Sequence, residues 1–150
     1  MPTSLLQNEN VTILLVEDND ADARLTVEAL RERKLLNMIY RVKDGVEAMD
    51  FLHKRGEYAE TSRPNIILLD LNMPRKDGRE VLEEIRKDDA LSSLPVIILT
   101  TSDSEIDVMR AYKLHCNAYI VKPVDFDKFV DVIQKIEDFW VKVVHLPREK

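Results

Sequence analysis

Short apolar, β-branched runs alternate with amphipathic segments along the chain. Val11–Val16 (VTILLV) reads as the first strand. Asn19 and Asp20 can cap a helix that carries Leu25, Val27, Ala29 and Leu30. Met38–Val42 is a weaker strand, Asp44–Gly45 a turn, and Val46–Leu52 a short helix. His53–Pro64 is polar, contains Gly56, and reads as a loop. Asn65–Leu69 (NIILL) is a third strand, and Asp77–Lys87 a helix with Val81, Leu82 and Ile85 on one side. Pro95–Leu99, a helix over Ser104–Leu114, Ala118–Val121 and a long helix over Asp125–Val144 complete the series. Phe126, Phe129, Ile133, Ile136, Trp140 and Val143 recur at helical spacing and are expected to face the core.

The first, third and fourth strands are continuous apolar runs, as expected of strands buried on both faces of a parallel sheet. Strand–helix alternation agrees, and predicts a doubly wound α/β domain with a five-stranded parallel sheet and helices on both faces. One domain is expected over residues 1–150, with its core at about 11–136, an extended C-terminal helix and tail, and no output domain. A net charge of -6 disfavours nucleic acid as a partner, since that binding neutralises phosphates with Lys and Arg. No apolar stretch is long enough to span a bilayer, and Met1–Asn10 lacks the basic start and apolar run of a signal peptide. With a single cysteine, Cys116, these features fit a protein of the reducing cytoplasm.

Ligand sites in open α/β sheets form beyond the carboxyl ends of the strands. Strand one ends in Glu17–Asp18, strand three in Asp70, strand four in Thr100–Thr101 and strand five in Lys122–Pro123. Two like charges about 4 Å apart repel by roughly 4 kcal/mol at an effective dielectric near 20, so three carboxylates on one edge need positive charge. Lys122 supplies one cation, and a hard divalent ion with oxygen ligands is the natural second. Taken singly, Asp18 reads as a helix cap, Thr100 as a β-branched strand residue and Lys122 as a surface lysine. Their joint placement on successive strand ends favours a metal-assisted phosphoryl site.

The segments ILLVEDN (Ile13–Asn19), DG (Asp44–Gly45), IILLDLNMPRKDG (Ile66–Gly78), PVIILTTS (Pro95–Ser102) and AYIVKP (Ala118–Pro123) resemble the receiver domain of two-component response regulators. The resemblance implies that Asp70 is the phosphorylated aspartate. It implies that Glu17, Asp18, Asp70 and the backbone carbonyl of Asn72 hold Mg²⁺ or Mn²⁺. Lys122 and Thr100 would contact the phosphoryl group, with Thr100 and Tyr119 as the switch pair. GEYAE (Gly56–Glu60) and IEDFWVKVVHLP (Ile136–Pro147) resemble the stand-alone regulators that pair with phytochrome-type histidine kinases. A sensor histidine kinase, of phytochrome type, is the partner this implies.

Two other classes fit less well. A metal-dependent phosphatase with an aspartyl nucleophile would carry a second Asp where this chain has Asn72. A flavodoxin-like cofactor carrier would place a Ser/Thr/Gly-rich phosphate loop after strand one, where this chain has an acidic pair. His53, His115 and His145 read as surface or helix-end residues. Val108, Tyr112, Val132 and Phe139 have no evident core role, whereas Met109 is expected to point inward. With Tyr119 they are expected to form a homodimer interface on helix four, strand five and helix five.

Overall fold

The computed structural model describes residues 11–31, 37–141 and 144–147. Expectations for Met1–Asn10 and Val143 lie outside these residues. Five strands, β1 (Val11–Val16), β2 (Asn37–Val42), β3 (Ile66–Leu69), β4 (Val96–Thr100) and β5 (Ala118–Val121), pair in the order β2-β1-β3-β4-β5. All four pairings are parallel. Between them run α1 (Asp20–Arg31), α2 (Gly45–Leu52), α3 (Gly78–Lys87) and α4 (Glu105–Lys113), and α5 (Phe126–Ile136) follows β5.

Period-two alternation divides the strands between two apolar layers. Leu14, Val16, Ile67, Leu69, Val96 and Ile98 face α2, α3 and α4 through residues such as Phe51, Leu82 and Ala111. Ile13, Leu15, Ile66, Leu68, Ile97 and Leu99 face α1 and α5 through Ala29, Leu30, Phe129 and Ile133. The expected doubly wound sheet is the observed one.

Each helix start has a local cause. Asn19, not Asp20, closes the start of α1: its side-chain oxygen accepts from the Asp22 N–H at 2.9 Å. Asp44, Asp77, Ser104 and Asp125 cap the other four helices through their side chains.

Several expectations are corrected. The last helix does not run unbroken to Val144. It is α-helical only to Ile136, and a wider π-type turn follows over Glu137–Val141. Beyond it Leu146 returns to the core, and the Asn65 side chain donates to the Pro147 carbonyl at 3.3 Å. Asn65 also accepts from the Thr12 N–H, so one side chain ties the tail to the amino ends of β1 and β3. Phe126 is exposed rather than in the core, because it occupies the first helical position past the strand-end edge. Met109 is 59% exposed, and the inward side of α4 is taken by the small Ala111. The polar segment after α2 holds a short 3₁₀ turn, Gly56–Tyr58, whose Tyr58 ring lies 5.1 Å from that of Phe51. Cys116 is a buried free thiol, and burial pushes its pKa up. Among the described residues no helix is long and apolar enough to cross a membrane.

Candidate functional site

The site is set by main-chain bonds that carry the sheet one residue past its strands. Glu17 N–H donates to the Val42 carbonyl at 3.0 Å, Asp70 N–H to the Val16 carbonyl at 3.0 Å, and Lys122 N–H to the Thr100 carbonyl at 2.7 Å. Parallel register thus delivers two carboxylates and an ammonium to one edge. All three side chains are buried, whereas Asp18 is exposed. Lys122 Nζ contacts Glu17 Oε1 and lies 3.1 Å from Asp22 Oδ2 and 3.4 Å from Asp70 Oδ2.

Burial is the main reason that Glu17 is pushed up to about 7, and the Asp70 charge adds to it against the pull of Lys122. Burial alone would lower Lys122, but the carboxylates around it outweigh that and raise its pKa. One oxygen each from Glu17, Asp18 and Asp70 lies within 4.8 Å of the others. Three hard oxygen donors, with no nitrogen or sulfur among them, fit a divalent cation such as Mg²⁺, Mn²⁺ or Ca²⁺. Lys122 offsets only part of their charge. At the end of β4, whose Thr100 carbonyl takes the Lys122 N–H, the Thr100 hydroxyl is fully buried with no hydrogen-bond partner among the described residues. Such an orphaned group is costly unless something fills the position.

Asn72 lies two residues past Asp70, in the turn that leads to α3, with an exposed side chain and its N–H 3.4 Å from Asp70 Oδ1. This turn is clamped from the side. Arg75, at a left-handed φ of 65°, donates from Nε and Nη2 to Asp44 Oδ2 at 2.9 and 2.6 Å. Burial works against the Asp44 charge, but the Glu47 N–H and the Arg75 guanidinium hold its carboxyl below the usual range. Gly45 N–H donates to the Lys76 carbonyl, and a Cβ at Gly45 would collide with that oxygen. A Cβ at Gly78 would likewise collide with the Asp70 carbonyl, so α3 starts directly against the backbone at the end of β3.

On the opposite flank, the half-buried Tyr119 donates its hydroxyl to the Ser102 carbonyl at 2.8 Å. Ser102 Oγ bonds to Asp107 Oδ2 at 2.6 Å, and Asp107 pairs with Arg79 at 2.7 Å. Of the expected interface residues, Tyr112 and Phe139 are exposed, and Val108 is half-buried. Val132 does have a core role, because it packs against the α1–α5 layer. It also lines a cavity of about 270 Å³ with Ile120, Phe139 and Trp140. Sequence reasoning missed Asp22, Arg75 and the Arg79–Asp107–Ser102 chain. Only Asp22 carried a signal, as an acid in the first turn of the helix after the acidic pair.

The response regulator receiver domain matches residues 13–134. The chain belongs to that family. The response regulator Rcp1 of Synechocystis is 46% identical over 140 residues, which span 93% of this chain and 95% of Rcp1. The phosphorylated cyanobacterial phytochrome response regulator RcpA superposes with a TM-score of 0.90 at 47% identity, over 93% of this chain and 99% of RcpA. The Mn²⁺-bound form of Rcp1 gives 0.88 at 47% identity, over 91% and 99%. The chain is therefore a receiver-type response regulator, a signalling protein. Divalent metal binding fits both its acidic cluster and its Mn²⁺-bound relative.

Proposed function

We propose that this chain works in the cytoplasm, where Asp70 accepts a phosphoryl group from a sensor histidine kinase of phytochrome type in an Mg²⁺-dependent phosphorelay. The observation that carries this is the convergence of Glu17, Asp18, Asp70 and Lys122 at one sheet edge, with the buried Thr100 hydroxyl of the same edge lacking a partner among the described residues. Phytochrome relatives such as RcpA support the choice of kinase. Glu17, Asp18, Asp70 and the Asn72 carbonyl are the residues to hold Mg²⁺. Bound there, the ion offsets charge on the transferring group.

Lys122 adds a second positive charge from the buried side. A phosphoryl group brings about -1.5 to -2 charge and strong acceptors, which gives the Thr100 hydroxyl the partner it lacks. Tyr119, packed beside β4, then responds with the loop that carries Ser102, and the surface of α4, β5 and α5 changes. That surface, with Val108, Tyr112, Tyr119, Val132 and Phe139, forms a homodimer in this reading. The exposure of Tyr112 and Phe139 supports it.

The test is incubation with Mg²⁺ and acetyl phosphate, or with a phytochrome-type kinase and ATP, followed by intact mass. One added phosphoryl group that vanishes in Asp70→Asn is expected. Label at an unchanged rate in Asp70→Asn would overturn the assignment.

A further inference from the structure

Among the described residues Lys122 touches three carboxylates, and only two of them have a part in the reading above. The third is Asp22, on the first turn of α1. We infer that Asp22 is a positioning residue that restrains the Lys122 ammonium and so slows phosphoryl transfer to Asp70. The inference rests on Asp70 being the acceptor.

An ammonium has three donors and no acceptor. Here the three surrounding carboxylates are Glu17, Asp22 and Asp70. Glu17 and Asp70 also belong to the oxygen cluster suited to a metal, and Asp22 does not. A cation held by that cluster would draw on Glu17 and Asp70 and would leave the Asp22 charge to Lys122.

Its backbone is pinned, since the Asp22 N–H donates to Asn19 Oδ1 at 2.9 Å and its carbonyl accepts from Thr26 Oγ1 at 2.7 Å. Asp22 therefore cannot follow Lys122 far toward Asp70. An acid in the first turn of a helix also has a plain explanation, attraction to the helix dipole. Asp20 fits that explanation: it is 80% exposed and pairs outward with Arg41. Asp22 instead turns inward, to a lysine that is 4% exposed.

The transfer step balances without a proton. An Asp70 oxygen forms the new bond to phosphorus as the bond to the acetyl oxygen breaks, and acetate leaves with the electron pair. Charge on the transferring group calls for Lys122, and Asp22 competes for the same ammonium.

The experiment uses the full chain with Mg²⁺ and acetyl phosphate, with rates read by intact mass for wild type, Asp22→Asn and Asp22→Glu. Asp22→Asn keeps the shape and removes the charge. Its rate is expected to rise by about two- to fivefold, the scale of one partly exposed ion pair, with Asp22→Glu returning toward wild type. The ¹⁵N resonance of the Lys122 ammonium, in Mg²⁺-loaded unphosphorylated protein, should move in Asp22→Asn and stay in place in Asp20→Asn. An unchanged rate overturns the inference. So does a slower rate, which would make Asp22 a guide for Lys122, or a faster rate with an unmoved resonance. Asp70→Asn separates the two readings. If it still takes the label, the acceptor assignment fails. If it blocks the label while Asp22→Asn behaves as wild type, only the role of Asp22 fails.

Discussion

Arg79, in the first turn of α3, pairs with Asp107, in the first turn of α4, at 2.7 Å. The same carboxylate takes the Ser102 hydroxyl, and the Ser102 carbonyl takes the hydroxyl of Tyr119. These bonds hold the loop between β4 and α4. Asp107→Asn is expected to loosen that loop at a cost of about 0.5–1 kcal/mol, since the pair is partly exposed. Faster amide exchange at residues 101–104, with protection of β1 and β3 unchanged, is the expected pattern. Unchanged exchange there would rule out the hold.

Asp18→Ala should weaken Mg²⁺ binding by about tenfold or more, roughly 1.4 kcal/mol, while the melting temperature of the metal-free protein holds or rises. The side chain is exposed and its removal relieves crowding among carboxylates. A large drop in melting temperature with unchanged metal affinity would instead mark Asp18 as a structural residue.

Glu17 gives a pH dependence of defined sign. Its folded-state pKa of about 7 lies above the ordinary 4.5, so burial favours the protonated form. The stability it contributes is fully present below about 4.5 and is lost as pH rises through about 7. In metal-free protein, Glu17→Gln should therefore gain on wild type between pH 5 and 8, by roughly 1–3 kcal/mol. Metal binding runs the other way, because the ligand must be ionised. Mn²⁺ affinity of the wild type is expected to fall from pH 8 to pH 6, and calorimetry at the two values checks it.

Asp44→Ala removes both the cap of α2 and the partner of Arg75. A loss of about 1–3 kcal/mol is expected. Because the clamped turn carries Asn72, metal affinity should fall as well, a change that a simple loss of helix stability would not produce. Urea melts and metal titration on the same sample separate the two effects.

Sedimentation of wild type and Tyr112→Asp, with and without phosphorylation, tests self-association. A wild-type dimer that Tyr112→Asp dissociates is expected. A wild-type monomer at high micromolar concentration in both states would exclude the dimer.

The sheet and the strand-end residues were legible because strict alternation and apolar runs act through the backbone, which the sequence encodes locally. Glu17, Asp70, Thr100 and Lys122 follow from strand ends alone. The position of Asp22 carried a signal but its inward turn was not legible, because that depends on where α1 lies relative to β5, and Asp22 and Lys122 are 100 positions apart. Phe126 and Met109 misled for a related reason. Helical period says which residues share a stripe, but not how far the sheet beneath extends. The π-type turn at Glu137–Val141 left no mark on periodicity, since the apolar spacing continues through it.

The close approach of Gly78 to Asp70 makes the domain mechanically lopsided. On that side the Asp70 backbone and the start of α3 leave no room even for a methyl group, so the two are packed without slack. On the other side, a buried hydroxyl without a partner among the described residues adjoins a loop held mainly by side chains. Any strain created at Asp70 thus meets a wall toward α3 and a yielding boundary toward α4.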